Sequence, residues 1–446
     1  MTEQGSGEAN ESRDNLPLVV ATLLAHALSA EAASRVGARY FCVKGPIATL
    51  AGIRAPRESS DVDVFVEPDL LEAFEHQLEA WNWRRRTESF AQHLFQTHSH
   101  TFLHPSWPCD IDVHVGFPGM FGSAQEIFEG LHAHTQDYSV GGVLVRGVDL
   151  EGSLLVEILH GLRSPGSQRH AQDLRRATAV LADALTDDSF RDSFRKLVRD
   201  VGATTAISGV LKPLGVEWTD ESINWREYWR WVGQSAGANR ALSWLVAIVQ
   251  ADSYPRWKLI KEAIAPSVSD LHIEKPSIHR SGRWLWLDRA RAGLTSLPRL
   301  VRSLRSPVPA VVSLNPSSIR PLHVAAPIET QRLVEPAAAD QSVIASASSG
   351  YALSRVARAT DTDRRYVLPL DGEIGQPYML AAVAADLIEW IEQGVSTPES
   401  LGALASEHYG IELEAALVPL QTFLDALTRL GLLTLSPGVP LGRNQP

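Results

Sequence analysis

The chain has 446 residues, more than a single ordinary domain of roughly 100 to 200 residues holds, so two or three domains are expected. Its 44% hydrophobic and 21% charged residues are typical of a globular protein and exclude a disordered or membrane-embedded chain. The formal net charge of -11 argues against nucleic acid as a partner, because nucleic-acid binders carry a basic face. A polar start and only two cysteines, Cys42 and Cys109, predict a cytoplasmic protein without disulfides.

The first part of the chain predicts an α/β domain over residues 15–150, after a disordered start at 1–14. Apolar residues at helical spacing predict a helix from Leu16 to Val36. Beyond it, β-type runs interrupted by short helical patterns predict a small mixed sheet covered by helices. The predicted elements are strands at Tyr40–Val43, Val62–Val66, Arg84–Thr87, Thr101–His104 and Ile111–Val115, and helices at Pro46–Ala51 and Leu70–Trp81.

Three further segments follow. Residues 151–305 have helical spacing and predict a helical domain, in which the tryptophans between Trp218 and Trp286 are interpreted as core. Residues 306–350 are rich in proline, alanine and serine and predict an extended linker. Residues 351–437 predict a winged-helix-like domain of strands followed by three helices, so the fold class is α+β. Its predicted strands are Ala352–Val356, Arg365–Leu368 and Pro377–Leu380, and its predicted helices are Ala382–Ile391, Pro398–His408 and Leu417–Leu430.

Two aspartate-rich strands carry the chemistry. In the stretch from Ser60 to Val66, alternation puts Asp61 and Asp63 on one face. Neighbouring carboxylates in a half-buried strand raise each other's pKa unless a cation neutralises them, and Mg²⁺ prefers such oxygen ligands. Taken alone, the pair fits a solvent-facing acidic strand equally well.

A second strand strengthens the metal interpretation, because Asp110, Asp112 and His114 also alternate onto one face. Asp112 is the candidate for the third carboxylate of a metal site, whereas Asp110 fits a turn residue equally well. His114 is expected to orient a ligand carboxylate or the nucleophile. The upstream histidines lack zinc-site spacing and are interpreted as a solvated hairpin; they are His93, His98, His100 and His104.

Lys44, Gly45 and Pro46 join a strand to a helix. Gly45 allows close backbone approach and Pro46 suits a first helical position, so the turn can present N–H groups to an anion while Lys44 neutralises a phosphate. Without the aspartates, an ordinary strand-to-helix turn would be favoured.

These motifs resemble the uncharacterised nucleotidyltransferase family of the DNA polymerase β superfamily, through Lys44-Gly45, Arg57-x-x-x-Asp61-x-Asp63 and Ile111-Asp112-Val113-His114. The resemblance covers about residues 17–300 and implies transfer of a nucleotide from a nucleoside triphosphate, with ATP expected, and release of pyrophosphate. The turn departs from the superfamily in lacking its Gly-Ser hydroxyl. The resemblance implies Mg²⁺ bound by Asp61, Asp63 and Asp112, and nucleotide bound by Lys44, Gly45, Arg57 and Ser60.

Residues Tyr351–Leu435 resemble PqqD-like recognition elements, which bind the leader peptides of ribosomally made, modified peptides (RiPPs). The resemblance lies in Tyr378-Met379-Leu380 before a helix and in Phe423-Leu424-x-x-Leu427 near the end. It implies that a leader peptide adds a strand beside Tyr378, Met379 and Leu380. The alternative is a DNA-binding winged helix, although Arg429 is the only basic residue of the last predicted helix.

The sequence therefore predicts a magnesium-dependent nucleotidyltransferase that tailors a ribosomal peptide captured by its C-terminal domain. Two alternatives stay open. The first is a nucleotidyltransferase for small molecules of the antibiotic type, and the second is a scaffold that has lost activity and carries a winged helix.

Overall fold

The structure is a computed structural model, and it describes residues 16–95, 98–163, 167–216, 225–234, 240–251, 254–274, 291, 295, 350–361, 364–371 and 374–436. The predicted disordered start, 1–14, and the predicted linker, 306–350 apart from Gly350, lie outside these residues. Within the described part, none of the helices has the length and apolarity that a bilayer crossing needs.

A seven-stranded mixed sheet forms the centre of the N-terminal half, in the order β3-β4-β5-β2-β1-β7-β6. Strands β2 and β5 run parallel, as do β1 and β7, and the other neighbours are antiparallel. The mixed sheet was predicted, and its first five strands lie where alternation indicated. The strands are β1 Tyr40–Val43, β2 Asp61–Val66, β3 Arg84–Arg85, β4 Ser99–Leu103, β5 Asp110–His114, β6 Thr135–Val140 and β7 Val143–Val148.

The hairpin β6–β7 was missed by the sequence analysis. Gly141 and Gly142 connect its strands with φ angles of 61° and 74°, a two-residue turn that glycine makes without strain. A Cβ at Gly141 would lie 2.8 Å from the carbonyl oxygen of Leu23, so a helix packs directly on this turn. The paired glycines were the available signal.

Helices cover the sheet, beginning with α1, Leu18–Val36, whose buried residues include Leu24 and Leu28. Helix α1 ends at Gly37, which has a left-handed φ of 70°. The other helices of the N-terminal half are α2 Gly45–Leu50, α3 Leu71–Ala80, α4 Phe90–Phe95, α5 Ala124–His132, α6 Leu150–Arg163, α7 Gln168–Ala184, α8 Asp188–Asp200, α9 Thr204–Leu211, α10 Trp225–Gln234, α11 Arg240–Val249, α12 Arg256–Ile264 and α13 Val268–Glu274.

The tryptophan-rich helices only partly match their interpretation as core. Trp231 and Trp244 are buried, as expected of rings with a large apolar area. Trp257 is 68% exposed, so for this residue the core interpretation is wrong.

The C-terminal part, residues 350–436, contains strands followed by three helices, in the order that the sequence predicted. Strands β9, β10 and β11 form an antiparallel sheet with β11 at one edge, and β8 pairs with β12. Strands β9 and β12 were missed. The elements are β8 Gly350–Leu353, β9 Val356–Asp361, β10 Arg364–Pro369, β11 Tyr378–Leu380, α14 Ala382–Glu392, α15 Pro398–Tyr409, α16 Leu413–Arg429 and β12 Leu433–Ser436.

Strand β9 packs against α1, so the two parts of the chain share a core that contains Ala357 and Leu368. Arg355 Nη2 lies 2.7 Å from Glu31 Oε2, and Arg35 Nη2 donates to the carbonyl oxygen of Leu370 at 2.7 Å. The C-terminal part therefore docks on the first helix.

Candidate functional site

The carboxylates come together through the parallel pairing of β2 and β5. In this register Asp61 lies opposite Asp110 and Asp63 lies opposite Asp112. Each strand alternates as predicted, so Asp63 and Asp112 share one face of the sheet. Approximately fifty residues separate the two strands in the chain, and the sheet removes that separation.

Asp63 is the centre of the site and is only 3% exposed. Its Oδ1 lies 2.6 Å from Lys44 Nζ and accepts a hydrogen bond from His114 Nε2 at 2.7 Å. Burial alone would raise the pKa of Asp63, but the charge of Lys44 and the hydrogen bond from His114 outweigh burial and hold that pKa well below its ordinary value. Asp63 is therefore ionised.

His114 has acceptors at both ring nitrogens, because Nδ1 lies 3.2 Å from the carbonyl oxygen of Gly116 and Nε2 faces Asp63. The donor role of each ring nitrogen depends on the tautomer. The ring also stacks on Phe65, with centroids 5.0 Å apart. The predicted role of His114, orienting a carboxylate, fits these contacts.

Asp112 is held by Thr101, whose hydroxyl donates to Oδ1 at 2.6 Å. Ligand atoms of Asp63, Asp112 and His114 all lie within 4.8 Å of one another, a spacing that a metal ion can bridge. Of these three residues, the two carboxylates offer the oxygen ligands that a hard cation such as Mg²⁺ prefers. The two contacts described for Asp63 use Oδ1, which leaves Oδ2 for such an ion.

Asp61 lies at the start of β2 on the same face. Burial, and next the charge of Asp63, raise the pKa of Asp61 from 3.8 to about 6. Ser59 donates to Asp61 Oδ1 at 3.1 Å, which offsets only part of this cost. A cation bound beside Asp61 would offset the repulsion between its carboxylate and that of Asp63. The sequence analysis expected Asp61 to bind such a cation, and this stays a prediction.

The Lys44-Gly45 turn lies against these carboxylates. Lys44 has a φ of 57°, a conformation that costs energy in a non-glycine residue, and Gly45 has a φ of 44°. A Cβ at Gly45 would lie 3.5 Å from Ser59 Oγ and 3.8 Å from His26 Cε1. Ser59 therefore places a hydroxyl beside the Lys44-Gly45 turn, which has no hydroxyl of its own. The sequence analysis did not single out Ser59.

Arg57 and Ser60, both predicted to bind nucleotide, have different surroundings. Arg57 forms a forked pair with Asp173 of α7, with Nη1 to Oδ1 at 3.1 Å and Nη2 to Oδ2 at 2.8 Å. The side chain of Ser60 is exposed, and its carbonyl oxygen accepts from the backbone N–H of Asp110. Nucleotide binding by either residue stays a prediction.

Asp110 shares the face of Asp112 by alternation, but it begins β5 and its carboxylate pairs with Arg86 at 2.6 Å, so it is not among the residues whose ligand atoms come together. The sequence analysis left its role open. The ion pair gives Asp110 a local structural role and makes it a useful control.

Buried groups on α6 and near β4 complete the wall of the site. Arg163 Nη1 donates to His98 Nε2 at 3.4 Å, and burial lowers the pKa of His98 to about 2. His98 lies 5.9 Å from His114 between ring centroids. The solvated-hairpin interpretation is therefore wrong for His98, which is neutral and mostly buried.

The predicted peptide-binding residues Tyr378, Met379 and Leu380 form β11, the edge of the three-stranded sheet. Met379 is 53% exposed, while Tyr378 and Leu380 pack partly on the apolar cluster of α14 and α16. Peptide binding there stays a prediction.

Compared with known proteins, the chain matches no family model and no curated protein. Among solved structures it is similar to the antibiotic-resistance factor ANT(2'')-Ia at 14% identity, covering 43% of this chain and 95% of that one, with a TM-score of 0.29. It is similar to the lincosamide antibiotic adenylyltransferase LnuA at 12% identity, covering 35% and 94%, with a TM-score of 0.24.

A third similar structure is a tRNA nucleotidyltransferase complexed with a primer tRNA and an incoming ATP analog, at 15% identity, covering 62% of this chain and 98% of that one, with a TM-score of 0.19. Likenesses of this size carry no argument about activity or substrate. The proposal below rests on the geometry of the site.

Proposed function

We propose that the chain is a nucleotidyltransferase that uses Mg²⁺ and transfers AMP from ATP to a hydroxyl group of a ribosomal peptide held by the C-terminal part. The observation that carries the proposal is the in-register pairing of Asp63 with Asp112, beside Lys44 and His114. This arrangement concentrates acidic and basic groups in a largely buried cluster, as phosphoryl-group chemistry requires.

In the proposed reaction, a bond forms between the acceptor oxygen and the α-phosphorus, and the bond from that phosphorus to pyrophosphate breaks. The acceptor proton passes to Asp112, which Thr101 holds in place. Asp61, Asp63 and Asp112 would hold Mg²⁺, which would supply charge stabilisation for the phosphates. Lys44 balances the charge of Asp63 before substrate binds.

An open sheet edge in the C-terminal part supports the proposed binding of a peptide. The edge strand β11 follows Pro377, which cannot donate a hydrogen bond to a neighbouring strand. An extended leader peptide would complete this edge while its apolar side chains contact Tyr378 and Leu380.

The transfer test incubates the chain with labelled ATP, Mg²⁺ and, as acceptors, candidate precursor peptides and small alcohols. We expect labelled peptide, with a loss of more than about 100-fold in Asp61→Asn and near-normal transfer in Asp110→Asn. Equal transfer by wild type and Asp61→Asn would contradict the site. Labelling of small alcohols but not of peptide would favour the small-molecule alternative.

The peptide test titrates the full chain with the leader peptide. Met379→Glu places a charge on the exposed edge and should weaken binding by about tenfold or more, whereas Leu435→Glu, at a residue 61% exposed on β12, should not. Equal binding by both variants would remove β11 from the proposal.

A further inference from the structure

A cavity of about 550 Å³ lies between the end of β5 and helices α10, α11 and α12. Its volume is in the range of sites for small ligands or single side-chain groups. Neither the proposed metal ligands nor the predicted nucleotide-binding residues line this cavity, so the proposed function assigns it no role.

The cavity borders the catalytic carboxylates. Two of its lining residues, His98 and Phe117, face inward to the site as well: Lys44 Nζ lies 5.2 Å from the Phe117 ring, and His98 lies 5.9 Å from His114. Asp63 is bonded to both Lys44 and His114. A single layer of side chains therefore separates the cavity from the reacting centre.

The described lining is apolar in its larger part. Its aliphatic and aromatic side chains include Leu94, Phe95, Met120, Phe121, Val246 and Tyr254. Among the polar residues, Ser243 donates to the carbonyl oxygen of Gly233 at 2.6 Å and Gln250 donates to that of Arg226 at 3.0 Å. These two groups are satisfied by the protein and do not require a polar ligand.

The charge of the described lining is one-sided. It includes Arg230, which is exposed at the surface, and no aspartate or glutamate among the described lining residues. Against these described residues, a ligand amine would lose its hydration without a carboxylate to replace it. The cavity is therefore poorly suited to a polycation.

We infer that this cavity binds the acceptor, and that the acceptor is an uncharged, largely apolar group carrying a hydroxyl, such as a phenol or an aliphatic alcohol. The inference rests on the proposed function and adds the substrate class to it. Aromatic and aliphatic walls bind the body of such a group, while its hydroxyl lies on the Phe117 side of the cavity, the side next to Lys44.

The test compares N-acetyltyramine with tyramine, which share a phenol; acetylation of the amine removes its positive charge and adds a small acetyl group. Binding to the full chain is measured by ligand-detected NMR without ATP or metal, so the result does not depend on transfer. We expect N-acetyltyramine to bind at least about tenfold more tightly than tyramine.

Variants of α11 locate the binding. Ala247 lines the cavity and is half-buried, so Ala247→Trp should fill it and weaken N-acetyltyramine by about tenfold or more. Val249→Trp, on the same helix at a residue 63% exposed, is the matched control and should leave binding unchanged. Ala247→Asp adds a carboxylate to the lining, so this variant should prefer tyramine. It locates the binding even if Ala247→Trp folds poorly.

Equal or tighter binding of tyramine by the wild-type chain, no binding of either compound, or unchanged binding in the Ala247 variants would overturn the inference. Intact binding of N-acetyltyramine in a chain that transfers no nucleotide would instead overturn the proposed function and leave the cavity assignment standing.

Discussion

Asp61 and Asp63 are two residues apart on one strand, yet their protonation differs because their neighbours differ. Asp63 has Lys44 and His114 as partners, which keep its pKa low. Asp61 is buried beside the charge of Asp63, and its pKa rises to about 6. The sequence analysis gave the two carboxylates the same expected role, as metal ligands on one face of a strand.

The difference predicts opposite effects of the two variants on stability in metal-free buffer with chelator. The raised pKa of Asp61 means that the folded state loses stability as pH rises from about 4 through about 6, so Asp61→Asn should be more stable than wild type at about pH 7.5 and equal to it at about pH 4. Asp63→Asn should be less stable by about 3 kcal/mol at about pH 7.5, because Lys44 loses its partner.

Urea unfolding at both pH values measures these changes. If Asp61→Asn and wild type have the same free energy of unfolding at both pH values, burial and the charge of Asp63 do not destabilise the ionised form of Asp61. Unchanged stability of Asp63→Asn would show that Lys44 does not depend on it.

Ser59 and Ser60 are adjacent, and the structure distinguishes them by exposure and by contact. Ser59 Oγ lies by both Gly45 and Asp61, while the side chain of Ser60 is exposed. We predict that Ser59→Ala lowers nucleotide transfer by about tenfold, because it removes the hydroxyl at the turn, and that Ser60→Ala has a smaller effect. Rates at saturating ATP, with melting curves as a folding control, decide between them. A larger loss of transfer in Ser60→Ala would instead favour Ser60 as the serine that contacts the nucleotide.

At the scale of elements, α1 joins the C-terminal part to the segment that precedes Asp61. Near its end, Glu31 pairs with Arg35 at 2.9 Å and with Arg355 at 2.7 Å. About two and a half turns earlier in the helix, Thr22 donates to the carbonyl oxygen of Ser59 at 2.8 Å. A rigid helix therefore connects β9 to the segment that precedes Asp61.

We predict that Glu31→Gln lowers the free energy of unfolding by about 2 kcal/mol, because it weakens two ionic hydrogen bonds of a buried carboxylate. Hydrogen exchange should rise in Val356–Asp361. The control is Asp371→Asn, whose carboxylate lies 3.9 Å from Arg355 on the surface and should contribute less than about 0.5 kcal/mol. Equal exchange in the two variants would mean that Glu31 does not hold β9.

At the scale of the whole molecule, the contacts of β9 change what cleavage of the predicted linker should do. The sequence analysis predicted an extended linker at 306–350, and a cut in such a linker would release two independent folded pieces. The described C-terminal part instead shares its core with α1, through residues such as Ala357 and Leu368, and Arg358 N–H donates to the carbonyl oxygen of Gly141 at 2.6 Å.

We therefore predict that the two pieces produced by limited proteolysis stay associated in native size-exclusion chromatography and separate in Glu31→Gln at a lower urea concentration than in wild type. Mass spectrometry locates the cut. Immediate separation of the pieces from the wild-type chain would mean that the α1–β9 contact is too weak to hold the parts together.

Local pattern was sufficient for the elements that carry the site. Alternation in Asp61–Val66 and in Asp110–His114 predicted both strands and the shared face of their aspartates, because the side-chain period of a strand is a property of consecutive residues. The apolar spacing of Leu18–Val36 predicted α1 for the same reason.

Only the tertiary structure decided which residues meet. The parallel register of Asp63 with Asp112, the approach of Ser59 to Gly45 and the burial of His98 each depend on the order of strands and on the packing of α1 and α6. Sequence period cannot give this order, because a sheet selects its neighbours by the burial of whole faces across the fold, and the residues that meet there are distant along the chain.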